Sequence, residues 1–328
     1  MNERTFEEAR QTCDHIIDRV GDVFVGNRLL LRKLLAAALA NGHVLFEDYP
    51  GLGKTLLAKV FSRAIGSDTK RVQFTPDLLP SDILGVNVWR QNEGVFQLVR
   101  GPVFTNVLLA DEINRAPPKT QAALLEAMEE RQVTIDGETM FLGHPFVVIA
   151  TQNPIEQEGT YPLPEAQLDR FLFKLGTGYP ANREMENDIL LRRIQWQKDD
   201  PTDDMEPAID VEGFLKLQEM VETSIYVDHV IVDYITQLVR ETRDHPRVAV
   251  GVSPRGSLAL LRVSRSLALI HGRDFVVPDD VKMVVNDVLA HRIILNIEDI
   301  LEGVRPESIV EEILEQVPAP TELARRTP

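Results

Sequence analysis

The sequence has one cysteine in 328 residues and no long apolar run. A single cysteine excludes an internal disulfide framework and a cysteine-rich zinc site, so Cys13 is predicted to be a small side chain on an N-terminal helix. The first residues, MNERTFEEARQ, lack the apolar stretch of a secretory signal, and no segment approaches the roughly 18 apolar residues that span a bilayer. We therefore expect a cytoplasmic protein without membrane insertion.

Positive charge is also scarce, because 51 Asp and Glu outnumber 35 Lys and Arg and give a formal net charge of −16. Nonspecific binding to nucleic acid or to anionic membranes depends on clustered Lys and Arg. The charge balance argues against both, although it leaves room for a local basic channel. The histidines are scattered without an H-E-x-x-H pattern, and no G-x-S-x-G or catalytic-cysteine context occurs. Neither a histidine-based metal site nor a common hydrolase nucleophile is predicted.

The pattern of the chain changes at an acidic segment, KDDPTDDMEPAID, at residues 198–210. At 328 residues, the chain exceeds the size at which one hydrophobic core usually stops growing, and this segment is typical of a solvated linker. We predict an α/β core over residues 1–197, the acidic linker over 198–210 and a helical domain over 211–328.

Before the linker, short β-rich apolar segments alternate with helical patterns, which is typical of a parallel sheet sandwiched by helices. Five core strands are predicted, at residues 43–47, 71–75, 107–110, 146–151 and 171–175. Two β-hairpins are inserted, one over 86–99 and one over 132–142. The second carries Asp136-Gly137, a dipeptide that suits a tight turn with positive φ at both central residues. After the linker, apolar residues recur at helical spacing in segments 227–243, 253–272, 277–293 and 306–317.

The stretch HVLFEDYPGLGKTLLAKVF, which begins at His43, is a strand, a glycine-bearing turn and then a helix. In this context, backbone N–H groups at a helix N-terminus can wrap a polyphosphate, Lys54 can reach its outer phosphates, and the Thr55 hydroxyl can bind Mg²⁺. Gly51 and Gly53 allow the backbone to approach closely. The alternative to a nucleotide site is an ordinary strand-to-helix turn in which Lys54 and Thr55 have no role in binding.

Asp48 stands where a strict phosphate-loop motif has its first glycine. Aspartate visits left-handed conformations more readily than most residues, so we expect the turn to survive. We also expect its carboxylate to point away from the phosphates, onto local backbone N–H groups.

A second polar pair, Asp111 and Glu112, follows the buried strand VLLA. Since open α/β sheets bind ligands at the carboxyl ends of their strands, Asp111 is predicted to hold Mg²⁺ through water and Glu112 to polarise the attacking water. Asn153 ends the strand FVVIAT in the same way and could hydrogen-bond the γ-phosphate and that water. An acidic surface loop, and an asparagine chosen for the turn before Pro154, are the alternatives.

The order of the phosphate loop, LLADE, ATQNP, LPEAQLDRF and GVSPRG resembles the AAA+ ATPases, and specifically the MoxR family in their hairpin-inserted branch. The likeness covers nearly the whole chain. It implies a P-loop AAA+ core with inserted hairpins, followed by an α-helical lid domain, and it implies ATP and Mg²⁺ as cofactors. The cofactor-binding residues are then Val25, Gly26, Asp48, Tyr49, Pro50, Gly51, Leu52, Gly53, Lys54, Thr55 and Leu56.

The resemblance also implies roles that spacing alone does not give. Asn153 would sense the γ-phosphate, Arg170 would be an arginine finger that reaches the neighbouring subunit's nucleotide, and Arg255 would be a second sensor on a lid helix, acting in its own subunit or in the neighbour. Val25 and Gly26 would lie near the adenine. Without the resemblance, Arg170 could pair with Asp169 or Glu165, and Arg255 could lie on an exposed helix face.

A finger shared between subunits implies a homo-oligomer, which this family suggests is a hexamer with the hairpins near its pore or upper face. The predicted function is Mg²⁺-dependent ATP hydrolysis that drives chaperone-like remodelling, maturation or metal-cofactor insertion of a protein client. The resemblance suggests a partner with a von Willebrand factor A domain. Two alternatives stay open: a nucleic-acid motor related to replicative helicases, against which the acidic charge weighs, and a nucleotide-gated scaffold with negligible turnover.

Overall fold

The computed structural model describes residues 3–49, 51–154, 159–197 and 200–321. Its strands are β1 (Val44–Glu47), β2 (Thr69–Gln73), β3 (Gly85–Arg90), β4 (Val95–Arg100), β5 (Val107–Asp111), β6 (Gln132–Ile135), β7 (Glu138–Phe141), β8 (Val147–Gln152), β9 (Phe173–Leu175), β10 (Val248–Val250) and β11 (Ile294–Leu295). Its α-helices are α1 (Glu3–Gly21), α2 (Arg28–Leu39), α3 (Lys54–Ala64), α4 (Pro80–Leu84), α5 (Pro118–Glu130), α6 (Glu165–Leu168), α7 (Arg183–Trp196), α8 (Val211–Ser224), α9 (His229–Asp244), α10 (Pro254–Ile270), α11 (Pro278–Lys282), α12 (Val285–Leu289), α13 (Ile297–Leu301) and α14 (Pro306–Gln316).

The five predicted core strands form one parallel sheet in the order β2-β5-β8-β1-β9. Successive side chains on a strand point to opposite faces, so Phe46 and Ile149 join the apolar cluster on one face, whereas Leu45 and Val148 join the cluster on the other. Helices cover both faces, which explains why β1, β5 and β8 are apolar almost throughout. The edge strand β2 differs from the predicted pattern, because its sequence TKRVQ is mostly polar and exposed. Because the strands are parallel, all their carboxyl ends meet at one edge of the sheet.

Both predicted hairpins are present. β3 pairs with β4, and β6 pairs with β7, in antiparallel register. Asp136 and Gly137 have φ of 49° and 86°, as the tight turn between β6 and β7 requires. On the first hairpin, Trp89 and Phe96 lie opposite each other with ring centroids 5.0 Å apart, and both are more than half exposed. This hairpin therefore presents an aromatic pair to solvent.

The C-terminal region is helical, as predicted, with two differences. A short antiparallel strand pair, β10 with β11, lies among its helices. The segment 277–293 is divided into α11, α12 and a 3-10 turn (Ala290–Arg292) instead of one helix. The break comes at Val284, whose φ of −124° is not helical. A proline occupies the first turn of α10, α11 and α14, where its missing N–H costs no helical hydrogen bond.

The C-terminal helices share one apolar cluster with the N-terminal helices and the sheet, since Ile16, Phe46 and Leu267 all belong to it. Cys13 is buried on α1 in the same cluster, in agreement with the prediction of a small side chain on an N-terminal helix. Within the described residues, none of the helices combines the length and the apolar content that crossing a membrane would need. The boundaries of the three predicted segments stay predictions.

The described part of the acidic linker, residues 200–210, keeps most of its acidic side chains exposed, as expected of a solvated segment, but it is also attached to α3. Lys59 donates to Asp200 at 2.7 Å, and the backbone N–H of Ala208 donates to Ala64 O at 2.8 Å. The bond from Lys59 lowers the pKa of Asp200 to about 2. This attachment was not predicted, and it arises because the apolar side chains Met205 and Ile209 pack against the core cluster.

Candidate functional site

The phosphate-loop sequence connects the end of β1 to the start of α3, at the carboxyl edge of the sheet. Gly51 and Gly53 have φ of 82° and 76°, a left-handed conformation that glycine adopts without strain. A side chain on Gly53 would also lie 3.2 Å from the Phe24 ring. Pro50, predicted to contact the nucleotide, lies outside the described residues. Leu52 lies in the turn, and Thr55 and Leu56 lie in the first turn of α3.

Lys54 lies against the loop itself. Its Nζ donates to Asp48 O at 2.9 Å and to Tyr49 O at 3.1 Å. Burial lowers the pKa of Lys54, and the negative charges of Asp48, Asp111 and Glu112 counteract that effect. The ammonium group is therefore within electrostatic reach of all three carboxylates.

We expected a left-handed backbone at Asp48, but its φ is not positive. Its carboxylate does point onto backbone N–H groups, but these are distant in sequence instead of local. Oδ2 accepts a bond from Thr177 N, one from Thr177 Oγ1 at 2.7 Å and one from Gly178 N at 3.3 Å. The negative charge is thus held on the segment that follows β9.

Asp111 ends β5 and is held from two sides. The Thr151 hydroxyl of β8 donates to its Oδ1 at 2.6 Å, and Arg71 of β2 donates to its Oδ2 from Nη2 at 2.7 Å and from Nε at 3.1 Å. The same Thr151 oxygen accepts the backbone N–H of Glu112 at 2.8 Å. β8 therefore positions both acidic residues of the pair.

Glu112 has a left-handed backbone, with φ of 55°. Its Oε2 accepts from Gln73 Nε2 at 2.7 Å and from Arg115 Nη1 at 3.0 Å. A non-glycine residue held in this conformation is uncommon and is over-represented at functional sites. The geometry fixes where the Glu112 carboxylate lies relative to Asp111.

Sequence reasoning missed the side chains that hold the acidic pair, namely Arg71, Gln73, Arg115 and Thr151. Arg71 and Gln73 alternate along β2, so they share one face of the strand. The alternation is visible in RVQFT, but the neighbour of β2 in the sheet is not. Only the strand order β2-β5 shows that these two polar side chains meet the two acidic ones.

Asn153 directly follows β8 and is buried. Asn114 Nδ2 lies 3.5 Å from its carbonyl oxygen, so the backbone at Asn153 is joined to the segment after the acidic pair. Val25 and Gly26 are also close to the loop, because the neighbouring Phe24 ring packs against both Gly26 and Gly53. The predicted phosphate, metal and adenine residues that the structure describes thus lie near one edge of the sheet, together with Asn153.

The residues at this edge fit a magnesium ion bound together with a nucleotide. The Thr55 hydroxyl and the Asp111 carboxylate supply the hard oxygen ligands that Mg²⁺ prefers, and Mg²⁺ is usually bound by one or two protein groups plus substrate phosphates. The described residues contain no group of three or more His, Cys, Asp or Glu that could hold a metal by themselves.

Arg170 and Arg255 lie elsewhere. Arg255 Nη2 donates to Glu129 Oε1 at 2.7 Å, and Arg170 Nε lies 3.9 Å from Oε2 of the same carboxylate. Arg255 Nε also lies 3.9 Å from Asp169 Oδ2. Arg170 is thus close to Glu129, not paired with Asp169 or Glu165. We call Glu129, Asp169, Arg170 and Arg255 the arginine cluster.

The arginine cluster lies at the amino-terminal edge of the sheet. Leu172, two residues after Arg170, donates its backbone N–H to His43 O at 2.8 Å, and His43 immediately precedes β1. His43 Nε2 in turn lies 3.1 Å from the carbonyl oxygen of Met128, the neighbour of Glu129. The phosphate loop, by contrast, follows the carboxyl end of β1.

Comparison with known proteins gives matches along most of the chain. Residues 43–173 match the ATPase family associated with various cellular activities (AAA), and residues 240–313 match the AAA lid domain. The chain is 50% identical to the Bacillus subtilis protein YeaC, over 96% of this chain and 97% of that one. It is 43% identical to Chaperone MoxR1 of Mycobacterium tuberculosis, over 94% and 82% of the two chains.

The fold is also similar to a crystal structure from Cytophaga hutchinsonii, of a protein assigned as an ATPase. The TM-score is 0.89 at 39% sequence identity, and the match covers 97% of this chain and 98% of that one.

Proposed function

Because this chain belongs to the MoxR family of AAA+ ATPases, which hydrolyse ATP, we propose that it acts as a ring oligomer that couples Mg²⁺-dependent hydrolysis to remodelling of a protein client. The observation that carries the proposal is the separation of the phosphate loop from the arginine cluster. The loop follows the carboxyl end of β1, and the cluster lies beyond its amino end.

β1 has four residues, so at about 3.3 Å per residue the strand alone separates the two groups by about 13 Å. Arg170 and Arg255 are therefore on the wrong side of their own subunit to reach its phosphates. If both serve a nucleotide, it belongs to a neighbour whose phosphate loop faces this cluster. Such a contact is heterologous, and repeating it around an axis closes a ring, for which we propose a hexamer.

Within this proposal, Lys54 contacts the outer phosphates, Thr55 and Asp111 hold Mg²⁺, and Glu112 is the general base for the attacking water. Mg²⁺, when bound, neutralises charge on the phosphates. Asn153 senses the γ-phosphate from the end of β8. Arg170 and Arg255 place positive charge at the neighbour's transferring phosphate, a contribution that in other phosphoryl-transfer systems is worth roughly 10³ to 10⁵ in rate.

The proposed client is a protein, in keeping with the name of the relative Chaperone MoxR1. The exposed Trp89 and Phe96 on the first hairpin suit contact with apolar client segments, because aromatic side chains supply large contact area at low entropic cost. A partner with a von Willebrand factor A domain, client maturation or metal-cofactor insertion, and a cytoplasmic location belong to the same proposal.

The test replaces Glu112 by Gln, which keeps the shape and an acceptor oxygen for Gln73 but cannot take a proton from water. We expect nucleotide affinity to stay within about threefold of wild type while turnover falls by about 10² or more, in line with loss of a general base. Lys54→Ala should instead lose nucleotide binding. Glu302→Gln, on an exposed residue after α13, is the matched control and should behave as wild type.

Two measurements decide the assignment. Calorimetry gives nucleotide affinity, and steady-state phosphate release gives turnover on the assembled protein. Undiminished turnover in Glu112→Gln would remove Glu112 from the mechanism. Strong stimulation of turnover by DNA would replace the protein client with nucleic acid.

A further inference from the structure

The carboxylate of Asp48 belongs to the phosphate loop, yet it bonds to a segment 129 residues further along the chain. Three donors converge on its Oδ2: the backbone N–H of Thr177, the Thr177 hydroxyl and the backbone N–H of Gly178. A glycine at position 48, which the strict motif would have, could make none of these bonds. The acidic residue therefore gives the loop a connection that a standard loop lacks.

The main chain of Asp48 is connected in the other direction, to the lysine that would bind phosphate. Lys54 Nζ donates to the carbonyl oxygens of Asp48 and Tyr49. A phosphate is a charged acceptor, so it adds to the hydrogen bond an attraction between opposite charges that a neutral carbonyl oxygen does not offer. An incoming polyphosphate should therefore draw Lys54 away from these carbonyls and release the peptide between Asp48 and Tyr49.

Beyond Asp48, the connection continues toward α7. Thr177 and Gly178 lie two and three residues after the end of β9, and the segment then leads through Tyr179 to Asn182, the N-cap of α7. Tyr49 and Tyr179 make a second contact between the same two segments, with ring centroids 6.0 Å apart. Gly178 has φ of 66°, so the chain turns sharply at the point where the carboxylate holds it.

We propose that Asp48 is a positioning residue that couples occupancy of the phosphate loop to the segment 176–182 and, through it, to α7. The coupling passes from phosphate to Lys54, from Lys54 to the Asp48 main chain, and from the Asp48 carboxylate to the amides of Thr177 and Gly178. The inference rests on the proposed role of the loop. It adds a route by which nucleotide binding changes the structure of a segment outside the site.

The test is hydrogen–deuterium exchange of the full-length protein, followed in peptides that cover residues 176–196, with and without ADP. In wild type, ADP should change the exchange rate of these amides by about threefold or more, a size that local opening equilibria readily reach. Asp48→Ala should still bind ADP, within about tenfold of the wild-type affinity, but the change at 176–196 should disappear.

Three further variants sharpen the result. Glu47→Gln is the matched control, because this neighbouring carboxylate also contacts β9, but at Lys174 and not at the turn, so it should keep the ADP-dependent change. Thr177→Val removes one donor from the opposite side and should reduce the change, even if Asp48→Ala fails to fold. Thr177→Ser keeps the hydroxyl and should restore it.

An unaltered ADP response in Asp48→Ala, or an equal loss in Glu47→Gln, would overturn the coupling. So would a wild type that binds ADP by calorimetry without any change at 176–196. Failure of the proposed site is distinguishable from these outcomes, since it would appear as Lys54→Ala binding ADP as tightly as wild type does.

Discussion

Rings assembled from two different inactive variants should recover activity. Glu112→Gln removes the proposed general base but leaves Arg170 in place, whereas Arg170→Ala removes the proposed finger but leaves Glu112. Each variant alone should hydrolyse ATP at a rate at least about 100-fold lower than that of wild type. A mixed interface restores a complete site when the Arg170→Ala subunit supplies the nucleotide loop and its Glu112→Gln neighbour supplies the arginine.

The expected recovery follows from the one-directional geometry of the interface. With equal amounts mixed at random, the loop belongs to an Arg170→Ala subunit in half of the interfaces, and the facing arginine is intact in half of those. About one quarter of the interfaces are then complete, so the mixture should reach about one quarter of wild-type turnover if the sites act independently in a heterologous ring. Were the arginine to act in its own subunit, no mixture would contain a complete site.

The assay is phosphate release after mixing the subunits under dissociating conditions, followed by reassembly. Arg240→Ala, an exposed arginine on α9, is the control and should be active alone. Activity no greater than the sum of the two separate variants would refute action between subunits. The same mixture made with Arg255→Ala tests whether the second arginine of the cluster also acts on the neighbour.

Three other predictions follow from the site and the core. Asp48→Gly should change ATP affinity, measured by calorimetry, by less than about tenfold, or roughly 1.4 kcal/mol. The reason is that the Asp48 carboxylate is turned away from the loop. A larger change would show that this side chain takes a direct part in binding. Asp111→Asn should raise the Mg²⁺ concentration for half-maximal turnover by about tenfold or more, and EDTA should abolish turnover in wild type; unchanged Mg²⁺ dependence would contradict the ligand assignment. Burial lowers the pKa of His43 and of His291 well below the ordinary histidine value, so the unfolded chain takes up these protons first as the pH falls. The free energy of unfolding should therefore decrease below about pH 6.5, by up to about 1.4 kcal/mol per pH unit for each histidine. Denaturant titrations from pH 7 to pH 5 should give a shallower decrease for His43→Gln, and an equal slope would contradict this origin.

The features that the sequence predicts well are those with local signals. The turn at Asp136-Gly137 is specified by two residues, and its positive φ values are observed. All five core strands are found, four of them at apolar segments, whereas the mostly polar β2 lies two residues earlier than expected. Its ends are set by pairing with β5, where Thr69 faces Val107 and Gln73 faces Asp111, and that partner is not encoded in the strand itself.

What the sequence does not predict depends on contacts between distant segments. Arg71 and Gln73 are ordinary polar residues of a strand until the sheet order brings them to the acidic pair. The acidic linker has the composition of a solvated segment, yet Met205 and Ile209 pack against the core. Asp48 is the clearest case, because its departure from the loop motif has no local explanation. Its partners, Thr177 and Gly178, follow the last strand of the sheet.

A buried arginine of the helical region also determines where the proposed finger lies. Arg292 donates from Nε to Asp169 Oδ1 at 2.7 Å and from Nη2 to Phe171 O at 2.6 Å, so it holds the residues on both sides of Arg170. Arg255, in the first turn of the neighbouring helix α10, meets Arg170 at Glu129. Because the helical region supplies both Arg292 and Arg255, a movement of that region would carry the finger and the second arginine together. The phosphate loop lies at the opposite edge of the sheet, where Asp48 bonds it to the segment before α7. In a ring, each subunit would therefore bind nucleotide at one edge of its sheet and act on its neighbour's nucleotide from the other edge.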